Sequence, residues 1–546
     1  MGKFCFFHPY HPSTWDAMID CGLIKSGDGV RMSQAILLRE QEKFNVIAAR
    51  GSKLHTYLER TRAPFYIDRL QGGIYIDEYP YDPELLQEYR DLLGEDFLGF
   101  QMHEWLSNYH SDLKKLKDVP NDKWTAEQID RVIREKFKVP CLFLEAMTAE
   151  EMAERKRPET PQQFCGNMFD IYRRRRASYG DLVPCDSGYL AFDFELREGA
   201  KIITAEVGGQ SADMRMQMAY ARGMARACGR RFGAYYEPWG GQPFTACCYH
   251  AEEKNEWGVG DSSDFPFVTG GPNGGSSRSL QRRVMLYAFL CNADMMSEEW
   301  GLCNTFKDWK NFELSEYGKV KLEFLEFTRK YADLGDRVTP AAVILPEALE
   351  VVEDVRSGYT YCGYKVDVAL RCKLEHIKDS IRCVFSAPTE FMGTEYKTLI
   401  NSQMPDAVDM LNSCARNADA IDHKYKYLID LTGDPAFAAS HGNCVQIHEL
   451  EALLRESLPC EVEGLHWLVN EREGGGYYLS IFNHIGVCRS VADGEYLMPE
   501  ATRSAKISFK NGAVPTLLEG EGMLERDGED YRISIPAGGF AFIYFA

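Results

Sequence analysis

Four places in this sequence set a carboxylate at the end of a short apolar run: Phe97-Leu-Gly-Phe-Gln-Met-His-Glu104, Lys201-Ile-Ile-Thr-Ala-Glu206, Phe232-Gly-Ala-Tyr-Tyr-Glu237 and Asp294-Met-Met-Ser-Glu298-Glu299. Runs of this length, punctuated by glycine and proline, read as buried strands that deliver an acid to their carboxyl ends. Two carboxyls flanking an acetal are what glycoside hydrolysis requires. One must be protonated to release the leaving oxygen, and the other ionised to attack the anomeric carbon or to activate water. Glu104, Glu206, Glu237 and Glu299 are therefore the candidate catalytic acids.

Three of these acids also sit beside aromatic residues, in His103-Glu104-Trp105, Tyr236-Glu237-Pro238-Trp239 and Glu298-Glu299-Trp300. Sugar rings stack their C–H faces on aromatic planes while polar side chains take the hydroxyls. His103, Trp105, Tyr236, Trp239, Glu298 and Trp300 are expected to bind substrate, with Asp68 and Arg69 as hydroxyl partners. Core packing is the competing reading for each tryptophan, and a fold-stabilising ion pair for Asp68 with Arg69.

Other chemistries lack their motifs. The glycines of Gly270-Gly-Pro-Asn-Gly-Gly-Ser-Ser277 are not followed by the Gly-Lys-Ser/Thr ending of a phosphate loop. Cys247, Cys248 and His250 form the nearest thing to a metal cluster, but adjacent cysteines do not chelate one zinc easily and no Cys-x-x-Cys partner exists, so neither metal nor cofactor is expected. A Gly-x-Ser-x-Gly elbow and a His-Glu-x-x-His helix are both missing. The formal charge of −20 argues against nucleic acid as partner. The amino terminus carries neither a secretory signal nor a membrane span, and seventeen scattered cysteines read as thiols of a reducing compartment, so a cytoplasmic protein is expected.

The 546 residues need several cores. Up to about residue 336, apolar runs alternate with helical patterns, the rhythm of βα units. One helix is expected over 83–93 and another over 211–228, immediately before the Phe232 run. Residues 337–460 read as a smaller three-layer α/β domain, with strands at 340–346, 396–400, 427–431 and 444–447 and helices at 405–418 and 447–457. From 461 to 546 helices give way to short strands spaced by glycine turns, the pattern of a small antiparallel sandwich.

This order, a (β/α)8 barrel, a flavodoxin- or amidotransferase-like α/β domain and a C-terminal β-sandwich, resembles the β-galactosidases of glycoside hydrolase family 42 and their relatives in the same barrel clan. In those enzymes an Asn-Glu pair ends the fourth strand and supplies the acid/base; the matching positions here are His103-Glu104. Their nucleophile ends the seventh strand, which Phe232-Gly-Ala-Tyr-Tyr-Glu237 resembles. The resemblance implies a retaining exo-glycosidase acting on β-linked sugars, Glu237 as nucleophile, Glu104 as acid/base, and a homo-oligomer, specifically a trimer. Two alternatives stay open: a saccharide-binding protein on a non-catalytic barrel, and an inverting glycosidase using Glu206 or Glu299.

Overall fold

The computed structural model describes residues 4–33, 44–68, 81–106, 109, 113, 116, 118–136, 148–186, 190–208, 214–238, 276–299, 301–347, 360–361, 364–365, 367–385, 400–490 and 494–546. Eight strands, β1 (Cys5–Pro9), β2 (Gly29–Ser33), β3 (Phe65–Asp68), β4 (Phe97–His103), β5 (Leu182–Asp186), β6 (Ile202–Gly208), β7 (Arg231–Glu237) and β8 (Met295–Glu298), close in chain order into one barrel. The pairs from β1 through β6 and from β7 to β8 run parallel. This is a TIM barrel, as expected. By internal contacts the chain divides into two compact units, one of Met1–Phe4, Glu206–Glu347 and His376–Ala546, the other of Cys5–Ala205 and Ala348–Glu375.

In the Cys5–Ala205 unit the helix Pro83–Leu93 shows why its sequence folds as it does. The Asp82 carboxylate accepts from the Glu84 and Leu85 amides (2.9 and 3.4 Å), and Pro83 occupies the first turn, where an N–H has no helical partner. Its apolar stripe, Leu85, Leu86, Tyr89 and Leu93, is buried, each side chain contributing roughly 1.5–3 kcal/mol. Two strands of this unit escape a reading of the sequence. In β2 the buried Arg31 breaks the apolar run, and in β5 Pro184 removes a ladder donor and argues against a strand.

In the other unit, Ala341–Leu345 is the centre of a parallel three-stranded sheet, flanked by Val408–Asn412 and Tyr427–Asp430. Two expectations change here. Where a helix is expected over 405–418 the chain instead forms the strand Val408–Asn412 and a short turn at Ala415–Asn417: the strand's residues are buried throughout, so the run is continuous rather than one-sided, and such a run cannot be told from a helix by periodicity. The segment 444–447 makes only an isolated bridge from Cys444 to Leu428. Of the strand expected at 396–400, residues 396–399 lie outside the described residues.

One layer on this sheet is the helix Met214–Cys228, which belongs to the barrel. Gly223 lets it approach so closely that a Cβ there would lie 2.3 Å from the Met410 carbonyl oxygen. Arg222 Nε donates to Asp409 at 2.5 Å, both groups fully buried, while Arg226 and the Tyr425 hydroxyl reach the other Asp409 oxygen at 3.3 and 2.9 Å. Several donors on one carboxylate offset its desolvation.

The carboxyl-terminal strands form one antiparallel pair, Val487–Ser490 with Gly494–Leu497, and two larger antiparallel sheets. One has the order Cys460–Val462, Arg503–Phe509, Asp530–Ile535, Met523–Asp527; the other has Thr516–Gly520, Phe540–Phe545, Tyr477–Phe482, His466–Glu471 and, at its edge, Asp336–Arg337. A buried relay ties this sheet to the barrel helices of the same unit. Arg283 Nη1 donates to His484 Nδ1 (2.8 Å), His484 Nε2 to His466 Nδ1 (2.8 Å), and His466 Nε2 to Asp406 (2.9 Å). Asp406 also accepts from Arg215 at 3.2 Å and from the Tyr287 hydroxyl at 2.6 Å, and pairs with Arg337 at 3.2 Å.

The relay demands neutral imidazoles. Burial first, then the Arg215 and Arg337 charges, lowers His466 to about 4 despite Asp406, and burial with Arg283 holds His484 well below its ordinary value. The unfolded chain therefore binds more protons than the folded one as pH falls from about 6.5, the ordinary histidine value, towards the folded value. Stability is full above that window and is lost through it. Thermal melts should show a midpoint dropping by several degrees between pH 7 and 5, and His466→Gln should flatten that slope; a midpoint independent of pH in the wild type would contradict the relay.

Candidate active site

Register decides which side chains meet. Tyr236 pairs with Glu298 across β7 and β8, so the next residues, Glu237 and Glu299, share the opposite face, and the Glu299 amide donates to the Tyr236 carbonyl at 2.7 Å. One carboxyl oxygen from each of Glu206, Glu237 and Glu299 lies within 4.8 Å of the other two, from residues 0, 1 and 6% exposed. Like charges at that spacing disfavour one another's ionised form. One divalent ion would fit three carboxylate oxygens, and a sugar acetal would find there both a carboxylate and a carboxylic acid.

The adjacent acid has another job. Glu298, fully buried, accepts from the Tyr317 hydroxyl and pairs with the equally buried Lys321, both on the helix Glu316–Lys330. Tyr236 lies on that side too: burial first holds its phenol protonated, and Glu298 adds to this while Arg278 opposes it. Glu298 and Tyr236, expected as substrate contacts, therefore occupy the layer between strands and helices. The alternation of a strand separates Glu298 from Glu299, a distinction that sequence adjacency hides.

Glu104 follows β4 directly. Its backbone is left-handed (φ 46°), a conformation that costs a residue other than glycine of order 1 kcal/mol or more and concentrates at functional sites. The Glu104 amide donates to the Cys185 carbonyl at 2.9 Å, and its carboxylate lies 3.7 Å from His103 Nε2. The Glu104 side chain is 12% exposed against 1% for His103, so the acid has access to solvent protons.

Trp105, expected as a stacking platform, is instead fully buried. Its ring centroid lies 5.4 Å from Tyr172 and 6.5 Å from Phe194, and its indole Nε1 donates to Glu195 at 3.0 Å. No face is left for a sugar. Glu195 and its buried neighbour Asp186, at the end of β5, were not anticipated; the signal for Asp186 was another strand-end acid, masked by Pro184. Burial raises Asp186 to about 7 and, with the Asp186 charge, raises Glu195 well above the carboxylate range. Arg69, Trp239, Trp300, Cys247, Cys248 and His250 lie outside the described residues, as does the Asp68 side chain.

A cavity of about 620 Å³, lined by Phe289, Asn292, Asp294, Asp336, Glu471 and Arg472 among others, opens at the amino end of β8, opposite the end that carries Glu298 and Glu299. It is not the site of the carboxylate cluster.

No helix among the described residues is long and apolar enough to cross a membrane. No protein-family model matches the sequence, and no curated protein sequence does. Solved structures are similar at low identity. An α-L-fucosidase isoenzyme from Paenibacillus thiaminolyticus is 9% identical, with 100% of this chain and 99% of that one covered at a TM-score of 0.43. A β-galactosidase from the haloarchaeon Halorubrum lacusprofundi is also 9% identical, with 99% and 98% covered and a TM-score of 0.41. A family 5 subfamily 18 glycoside hydrolase from Bifidobacterium longum subsp. longum is 12% identical, with 80% and 100% covered and a TM-score of 0.34.

Proposed function

We propose that this chain is a retaining glycoside hydrolase acting on β-linked sugars, with Glu237 as nucleophile and Glu104 as general acid/base. The observation that carries the reading is the convergence of Glu206, Glu237 and Glu299 within 4.8 Å, at the ends of β6 and β7 and just beyond β8. That is where barrel enzymes keep their chemistry. In the first step Glu104 gives its proton to the glycosidic oxygen as Glu237 bonds to the anomeric carbon and the aglycone leaves. In the second, Glu104 takes a proton from water, whose oxygen displaces Glu237 and frees the sugar. Burial suits the nucleophile, which must be desolvated to attack, and the partial exposure of Glu104 suits a group that exchanges protons.

The same spacing favours Glu206 as the alternative acid beside Glu237. For that pair the close approach of one oxygen of each supports retention, since inversion needs roughly 6.5–9.5 Å between carboxyls to seat a water. The resemblance of the sequence to family 42 makes a β-galactoside the first substrate to test, and a trimer the first oligomeric state. The experiment is covalent trapping of the glycosyl-enzyme, with Glu237 as the labelled residue.

A further inference from the structure

Glu104 holds a strained backbone, and the question is what keeps it there. The residue before it ends β4 and its own amide is pinned to Cys185 of β5 at 2.9 Å. The residue after it, Trp105, is fixed by ring contacts with Tyr172 and Phe194 and by one polar contact, the 3.0 Å bond to Glu195 on the helix Phe192–Arg197. Glu195 is 0% and Asp186 1% exposed, and no part of the chemistry above uses either.

Resting on the assignment of Glu104 as acid/base, we propose that Glu195 is a positioning residue that anchors the Trp105 indole and so holds Glu104 in its left-handed turn, with Asp186 its buried neighbour. Two interacting buried carboxyls do not both ionise readily, and burial raises Asp186 and Glu195 alike. One Glu195 oxygen accepts from the indole, while its other oxygen and both Asp186 oxygens are buried without a hydrogen-bond partner among the described residues. A misplacement of an acid by about 1 Å suffices to cost about 10²-fold in rate.

The signature of a displaced general acid is dependence on the leaving group, which a merely structural lesion does not produce. For Trp105→Phe, which keeps the ring and removes the N–H donor, kcat/KM on phenyl β-galactoside should fall about 10- to 100-fold, within the range a general acid supplies. On 2,4-dinitrophenyl β-galactoside, whose leaving group needs no proton, it should change less than about twofold. Glu195→Leu should behave alike, and Glu195→Gln, which keeps an oxygen to accept from the indole, should recover most of the rate. Glu104→Gln is the reference and should show the same signature more strongly. If it does, and Trp105→Phe and Glu195→Leu lose both substrates equally or neither, the positioning role is overturned while the function stands. If Glu104→Gln shows no leaving-group dependence, the acid/base assignment falls and takes the positioning role with it.

Discussion

Glu237→Gln is expected to lose turnover by at least about 10³-fold while folding as well as the wild type, or better. An amide cannot attack the anomeric carbon, and a tenfold loss corresponds to about 1.4 kcal/mol of barrel-borne transition-state stabilisation, so 10³ is about 4 kcal/mol. The gain in stability follows from the same geometry. Glu237 shares a buried space with Glu206 and Glu299, one oxygen of each within 4.8 Å of the others, and removing one potential charge relieves repulsion among the others. Release of nitrophenol from aryl β-glycosides reads the first effect and a thermal melt the second. A dead variant with an unchanged or raised midpoint fits; near-wild-type turnover contradicts the role of Glu237. Sugar binding by the wild type with no release from any glycoside would favour the saccharide-binding alternative.

Lys321→Met should be the most damaging single change to the fold away from the carboxylate cluster. Lys321 and Glu298 are both 0% exposed, and the pair is completed by the Tyr317 hydroxyl. Burying an ion pair is poor value for stability, but stripping one partner leaves an uncompensated charge and costs about 3–5 kcal/mol. For a domain of this size that is a midpoint lowered by roughly 10 °C. The double variant Lys321→Met with Glu298→Gln removes both charges and should recover most of the loss. A Lys321→Met midpoint equal to the wild type would show that Glu298 does not need its cation, and the separation of Glu298 from Glu299 would lose its physical basis.

The barrel was legible where its sequence is one-sided or cleanly bounded. Asp82-Pro83 announced a helix start, and Phe232 to Glu237 reads as a strand that is indeed the seventh. It was illegible where a charge or a proline sits inside a strand, as Arg31 and Pro184 do, and where burial on both sides erases periodicity, as at Val408–Asn412. The candidate acids were legible as a set because strand ends are marked by the change from apolar to acidic. Which of two adjacent acids faces inward was not, because that depends on register: Glu298 and Glu299 look alike in sequence and differ by half a pleat in space. Trp105 shows the same limit. An aromatic beside an acid suggests a sugar platform, yet the indole turns into the helix layer and meets Glu195, ninety positions on.

The division of the chain into a middle domain and a barrel is also less separable than composition suggests. The helix Met214–Cys228 serves the sheet of Val408–Asn412 through Gly223, Arg222 and Arg226. A shift in composition marks where a new sheet begins, but not which earlier helix covers it.

The most direct measurement of the central claim is the site of covalent labelling by 2,4-dinitrophenyl 2-deoxy-2-fluoro-β-galactoside. The fluorine slows hydrolysis of a glycosyl-enzyme so that it accumulates, and peptide mass mapping locates it. The account predicts one fluorogalactosyl group per chain, on Glu237, with activity lost in step with labelling and no adduct in Glu237→Gln. An adduct on Glu206 or Glu299, or turnover of the parent galactoside with inversion of the anomeric centre, would contradict it.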